Sequence, residues 1–219
     1  MFEYIKIILL TFAALFPVIN PLGGSLIFLN LTQGLANITL NKLAKQIGLN
    51  TFILLLIVLL SGSWILSFFG ITLPIVQIGG GFVVASLAWK VLNQPIKDGD
   101  DDEKKVKYSD KSVKEMAFFP LTMPLTAGPG AIAATLTVGA HETHKRLIDT
   151  VMGQIYSAIG ILLVAISVWF CYRYAERITS KLGEAGTRVI MRLSAFINFC
   201  IGLQIACNGF QDLLPGIIL

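Results

Sequence analysis

Charged residues divide this chain into long apolar windows, which run over 7–41, 46–89, 116–141, 150–172 and 193–211. An ionisable side chain at the centre of a bilayer costs at least about 2.5 to 3.5 kcal/mol, so these windows are the stretches able to cross a membrane. A helix gains 1.5 Å per residue and the hydrocarbon core is about 30 Å thick, which asks for roughly 20 residues per span. The window 46–89 is long enough for two crossings, with a reversal near Ser67-Phe68-Phe69-Gly70. The pattern predicts an all-α membrane protein with six transmembrane helices, near 5–32, 47–68, 72–92, 116–139, 150–172 and 190–212.

Composition agrees with that division. Of 219 residues, 55% are hydrophobic and 14% charged, against about 25% charged in soluble domains, and the mean hydropathy is +0.75. Six spans leave no room for a separate soluble domain. The first six residues lack the basic region of a secretory signal and read as the start of the first span. Cys171, Cys200 and Cys207 lie in apolar segments with no metal-ligand spacing and read as small apolar fillers.

The net charge of +4 records loop topology rather than a nucleic-acid partner. With six spans, fourteen of the seventeen Lys and Arg residues fall on the face of the 1–2, 3–4 and 5–6 loops, leaving Lys6, Lys145 and Arg146 on the other. Positive charge is retained inside, so both termini are expected outside the cytoplasm. The 93–115 segment, with Asp98, Asp100, Asp101, Asp102 and Glu103 among its lysines, lacks the Gly and Glu of a calcium loop and reads as a charged cytoplasmic linker between a first repeat, 1–92, and a second, 116–219. His141-Glu142-Thr143-His144 spaces its histidines three apart rather than the four a zinc-protease helix needs.

The two halves share a motif. Phe16-Pro17-Val18-Ile19-Asn20-Pro21-Leu22 and Phe119-Pro120-Leu121-Thr122-Met123-Pro124-Leu125 both read F-P-x-x-x-P-L, in spans one and four. Both run into glycine, at Gly23-Gly24 and at Gly128-Pro129-Gly130, and five of the eight prolines lie in these two segments. Proline inside a helix removes a hydrogen bond and clashes with the preceding turn, so spans one and four should break. Free backbone groups are tolerated in a membrane only inside protein or against a water-filled cavity, so the breaks must face inward. Matching breaks in two halves are the sequence pointer to a transporter's binding site.

Three spans per half make the second half enter with the opposite orientation, giving two inverted-topology three-helix repeats. Helix N-termini and free carbonyls from both breaks would then meet at one cavity, a chemistry suited to a zwitterionic amino acid. In span six Asn198, Gln204 and Asn208 are amides at depth, divided between interhelical bonding and site lining. Gly79-Gly80-Gly81 and Ser194-Ala195 read as close-packing positions, and small-residue faces would permit a homo-oligomer without requiring one. The spans hold no charged residue or His away from their ends. That argues against a carboxylate proton relay, an enzyme or a cofactor; coupling, if present, would use Na⁺ held by carbonyls and hydroxyls, and transport is otherwise facilitated and downhill.

The segment from Phe119 to Ile132, with its Thr126-Ala127-Gly128-Pro129-Gly130 stretch, resembles the MarC (UPF0056) family of bacterial inner-membrane proteins, as does Asn20-Pro21-Leu22. Ile78-Gly79-Gly80-Gly81, Gln204 and Asn208-Gly209 look similar as well, and the resemblance covers essentially the whole chain. It implies a six-span protein related to transporters of small neutral amino acids, with site roles for Asn20, Pro21, Gly23, Thr126, Gly128, Pro129 and Gly130. The breaks add Gly24 to that set. Met123 stands where Asn20 stands in the first half, so the half-sites are chemically unequal. The expectation is alternating-access transport of a small solute across the lipid bilayer. The alternatives are a non-transporting scaffold and, less in keeping with the absence of a charged ring or carbonyl filter, a channel.

Overall fold

The computed structural model describes residues 2–32, 35–93, 115–141 and 147–214. Most of the 93–115 segment and Glu142-Thr143-His144 lie outside the described residues. Eight helical segments follow in order: α1 (Phe2–Ile19), α2 (Pro21–Leu31), α3 (Asn37–Phe69), α4 (Leu73–Leu92), α5 (Ala117–Thr126), α6 (Pro129–His141), α7 (Leu147–Arg173) and α8 (Ala175–Leu213). Among the described residues five stretches are long and apolar enough to cross a membrane, with α1 and α2 counting together, and the bent pair α5–α6 makes a sixth if it is counted as one span.

Each predicted span overlaps one of these stretches, but two helices start well before their apolar windows. α3 begins at Asn37 rather than near 47, and α8 at Ala175 rather than near 190. Charge ends a membrane crossing without ending a helix: Lys42, Lys45, Arg188 and Arg192 ride on helical turns beyond the apolar part. The expected 5–6 loop is correspondingly helix, interrupted at Gly183, which has φ 65°. The expected reversal after span two is made by Gly70 at φ 66°, where the Ile71 N–H reaches back to Leu66 O at 2.9 Å.

Packing runs mainly between the halves. α4 lies along α8, α3 along α7, and α1 against α6; α1 also meets α7 as α3 meets α6, and α2 meets α8 as α4 meets α6. Two kinds of contact hold this together. Leu15, Phe28, Leu43, Ile47, Leu55, Leu121, Ile161, Val164, Val168 and Tyr172 form a large-residue core around α7. The α4–α8 seam is instead backbone on backbone: a Cβ on Gly81 would lie 2.5 Å from Gly202 O, and one on Gly202 would lie 2.6 Å from Ala85 N. Small residues permit such an approach where lipid gives helices no hydrophobic drive to associate. Large apolar side chains such as Leu9, Ile57, Trp64 and Phe68 remain on the outside, as a bilayer would require.

Candidate functional site

The first break is a single residue. Asn20 sits in the left-handed region at φ 49°, ψ 64°, a conformation Asn tolerates better than most residues, and Pro21 opens α2 at its first position. Asn20 also closes the end it creates. Its Oδ1 accepts the Gly23 N–H at 3.1 Å and its carbonyl accepts the Gly24 N–H at 2.8 Å, while its own N–H still reaches Phe16 O at 2.9 Å. Backbone pairing therefore continues across the break, and α1 and α2 count as one membrane-length stretch.

The second break is broader. A residue before proline is pushed toward extended backbone. Phe119 (φ −125°, ψ 122°) and Met123 (φ −120°, ψ 121°), each followed by a cis proline bond, are both extended inside α5. Threonine hydroxyls bond carbonyls five residues back across this stretch: the Thr122 hydroxyl donates to Ala117 O at 2.6 Å and the Thr126 hydroxyl to Leu121 O at 2.7 Å. After Ala127 the chain turns through 65° into α6.

α6 opens as α2 does, with proline at its first position, but Gly128 stands where Asn20 stands. It has no side chain with which to cap, and no oxygen among the described residues accepts from the N–H groups of Gly130 and Ala131. The repeated motif pairs Pro21 with Pro124, whereas by helix position the partner of Pro21 is Pro129.

The two breaks face one cavity of about 340 Å³, on the side where α4 ends and α5 begins. Asn20, Gly23 and Gly24 line it from the first half, and Thr126, Gly128, Pro129 and Gly130 from the second, with Asn198 from α8. The Asn198 amide has no hydrogen-bond partner among the described residues, and Asn20 Nδ2 likewise has none. The wall is otherwise apolar, through Ile27, Val84, Leu87 and Met191. Pro21 is buried and shapes the break without lining the cavity. Gln204 and Asn208 lie elsewhere, bonded to each other at 2.8 Å beside a second cavity nearer the other face.

Sequence reasoning missed Tyr172. Fully buried behind the cavity wall, it stacks on Phe28 with ring centroids 5.0 Å apart, and its hydroxyl lies 2.8 Å from Thr126 Oγ1. Because the Thr126 proton goes to Leu121 O, the Tyr172 hydroxyl is the donor between them. The same oxygen abuts the other break, for a Cβ on Gly24 would sit 2.5 Å from it. Tyr172 thus ties the two breaks to α7. Only its place at the end of an apolar span, next to Arg173, marks it in the sequence.

No solved structure matches the chain. It is similar to the UPF0056 inner membrane protein MarC of Salmonella typhimurium, 29% identical over 217 residues and 98% of each chain. It is 28% identical over the same length to the protein of that name from Escherichia coli O1:K1. The likeness runs through both breaks and the spans around them, and since the model of the MarC family of integral membrane proteins matches residues 5–214, the chain belongs to that family.

Proposed function

We propose that this chain transports small neutral amino acids, or small solutes of similar chemistry, by alternating access between two inverted halves of the bacterial inner membrane protein. The observation that carries the reading is the shared cavity, in which a self-capped break from one half faces an open helix N-terminus from the other. The free Gly130 and Ala131 N–H groups, at the positive end of α6, suit a carboxylate. The Asn20 and Asn198 side chains offer amide oxygens to an ammonium group. At about 340 Å³ the space is near the lower bound for ligand pockets, which fits a small solute.

The packing supports the inverted halves. Exchanging α1, α2, α3 and α4 for α5, α6, α7 and α8 turns the α1–α7 contact into α5–α3 and the α2–α8 contact into α6–α4, and returns the α3–α7 and α4–α8 pairs to themselves. The relatives' names put them in an inner membrane and name no solute. The excess of Lys and Arg on the linker side then sets the linker in the cytoplasm and the termini outside.

The test is counterflow of radiolabelled glycine, alanine and serine in proteoliposomes, with and without Na⁺ and pH gradients. The variant is Asn20→Gly with Asn198→Ala, since Thr126 holds a backbone carbonyl and would confound folding with flux. Saturable flux that disappears in the folded variant supports transport. No flux for any solute from folded protein would leave the breaks as packing features of a scaffold.

A further inference from the structure

The two cavities lie one beyond the other along the same four helices. From the first, of about 340 Å³, to the second, of about 300 Å³, the lining runs from Asn20 back to Ala13 on α1 and from Val91 back to Gln77 on α4. On α6 it runs on from Gly130 to Val138, and on α8 from Met191 to Asn208. The steps between the cavities are short. Ala131 faces the first and Ala134 the second, as do Asn198 and Ile201, a rise of about 4.5 Å in each helix. Among the described residues Val18 alone lines both.

At Val18 the passage is closed by methyl groups. Val18 Cγ1 and Val84 Cγ2 both crowd the point where a Cβ on Gly130 would stand, the former at 3.3 Å from it. Two methyls so placed leave less than a water's width between them. Beyond them the second cavity is polar without charge. Gln204 Nε2 donates to Asn208 Oδ1, which leaves Gln204 Oε1 and Asn208 Nδ2, an acceptor and a donor, for a neutral polar solute or its water.

The walls of this closure are unequally fixed. α4 and α8 meet backbone to backbone at Gly81 and Gly202, and a Cβ on Gly80 would lie 2.5 Å from Ala133 Cβ, so α6 is held to α4 as closely. The chain of α1 and α2 is instead anchored on α7 at two separate places. Thr11 donates to Ser157 Oγ at 3.3 Å and packs on Gly160, while Gly24 abuts the Tyr172 hydroxyl. Between these anchors Pro17 and Pro21 lack the N–H groups that Ala13 O and Pro17 O would otherwise accept. Val18 stands in the segment between those prolines. A β-branched side chain in a helix keeps one rotamer, so Val18 moves with its backbone, and that backbone has hydrogen bonds missing on either side.

We propose that the two cavities are consecutive chambers of one solute path and that Val18 is the gate between them, closed on Val84 and Gly130 and opened by a shift of the 17–20 segment. This rests on the transport reading and adds to it a second chamber and the residue that separates the chambers.

The experiment adds a membrane-impermeant methanethiosulfonate to one face or the other of oriented vesicles. They hold full-length protein whose exposed Cys200 and Cys207 are replaced by serine, with a single new cysteine at Val91→Cys, Val138→Cys or Val18→Cys. Position 91 should react from the linker face, 138 from the opposite face and 18 from both. Alanine counterflow is measured alongside. Val18→Phe, which fills the gap, should lower it at least about tenfold while alanine still protects Val91→Cys, and Val18→Ala, which widens the gap, should raise downhill alanine leak at least about tenfold. Reaction of 18 from one face only, or flux indifferent to both substitutions, overturns the gate; with wild-type counterflow present, the transport reading stands. Loss of protection at 91 in both variants would make Val18 part of the first cavity's binding surface and not a gate. Absence of counterflow in folded wild-type protein removes the gate and the transport reading together.

Discussion

The two breaks begin alike and end differently. Each follows a proline-bearing turn and each hands the chain to a helix that opens on proline, yet α1 and α2 still count as one membrane-length stretch while α5 and α6 are bent by 65°. The difference lies in one side chain. Asn20 accepts the left-handed backbone and caps the helix it starts, so the first break consumes its own polar groups. Gly128 does neither, and a Cβ there would lie 2.6 Å from Pro124 O, so the second break has no room for the residue that seals the first. Two segments that share the F-P-x-x-x-P-L motif thus differ in what they present. One supplies a membrane-length strut with a polar side chain, the other a bent strut with exposed N–H groups, and Tyr172 holds them in register.

The hardest way to break this comparison is to give Gly128 a side chain. The atom a new Cβ would meet is backbone, which cannot rotate away. Gly128→Ala is therefore expected to destabilise toward the upper end of about 1–3 kcal/mol, read as a lower unfolding temperature of the purified protein in detergent, and to abolish flux. Gly79→Ala is the control. Nothing lies within 4 Å of its added Cβ, and removing a mid-helix glycine should leave stability equal or raised by about 0.5–1 kcal/mol.

How far the sequence could have revealed this asymmetry follows from what each signal measures. Charge spacing reports where the chain can cross a membrane, so it marked the candidate crossings, five or six among the described residues, and says nothing of where the helices α3 and α8 begin. Proline reports where a helix cannot continue, so it located both breaks. It does not report which proline starts the next helix, and the F-P-x-x-x-P-L repeat aligned Pro21 with Pro124 when Pro129 occupies the equivalent helix position. The amide reading named Asn198, Gln204 and Asn208 as one group, and the fold separates them into two cavities by their height along α8. Gln77 was open to the same reading, as a lone amide in an apolar span. Tyr172 was not: its contacts join residues 148 and 46 positions away, and no local pattern encodes them.

Asn20→Ala should come next in size. It removes a cap worth about 1 kcal/mol and forces a side chain without that tolerance into the left-handed region at a further cost of about 1 kcal/mol, lowering the unfolding temperature by several degrees. Smaller again is Tyr172→Phe. The ring and its stacking on Phe28 remain, Thr126 still donates to Leu121 O, and only the hydroxyl link is lost, for about 1 kcal/mol. A loss in Tyr172→Phe that is unchanged when Thr126 is already valine would show that the hydroxyl does not act through Thr126, and the register argument would fail.

Asn20→Gly is the smallest in stability and the sharpest in meaning. Glycine adopts φ 49° without strain, and replacing a capping Asn by Gly costs only a few tenths of a kcal/mol, so the backbone pairing across the first break should survive. What changes is the cavity. The Gly23 N–H loses Oδ1 and becomes available, and Nδ2, which packs over Gly23, disappears. The first break then offers free N–H groups as the second does. If solute polarity is read by the contrast between the two breaks, the variant should unfold at nearly the wild-type temperature yet lose affinity for glycine and alanine while gaining affinity for simple carboxylates such as acetate, measured by protection of Val91→Cys. Unchanged preference in a folded Asn20→Gly protein would mean that Asn20 is a structural cap alone, and that the open N-terminus of α6 carries recognition by itself.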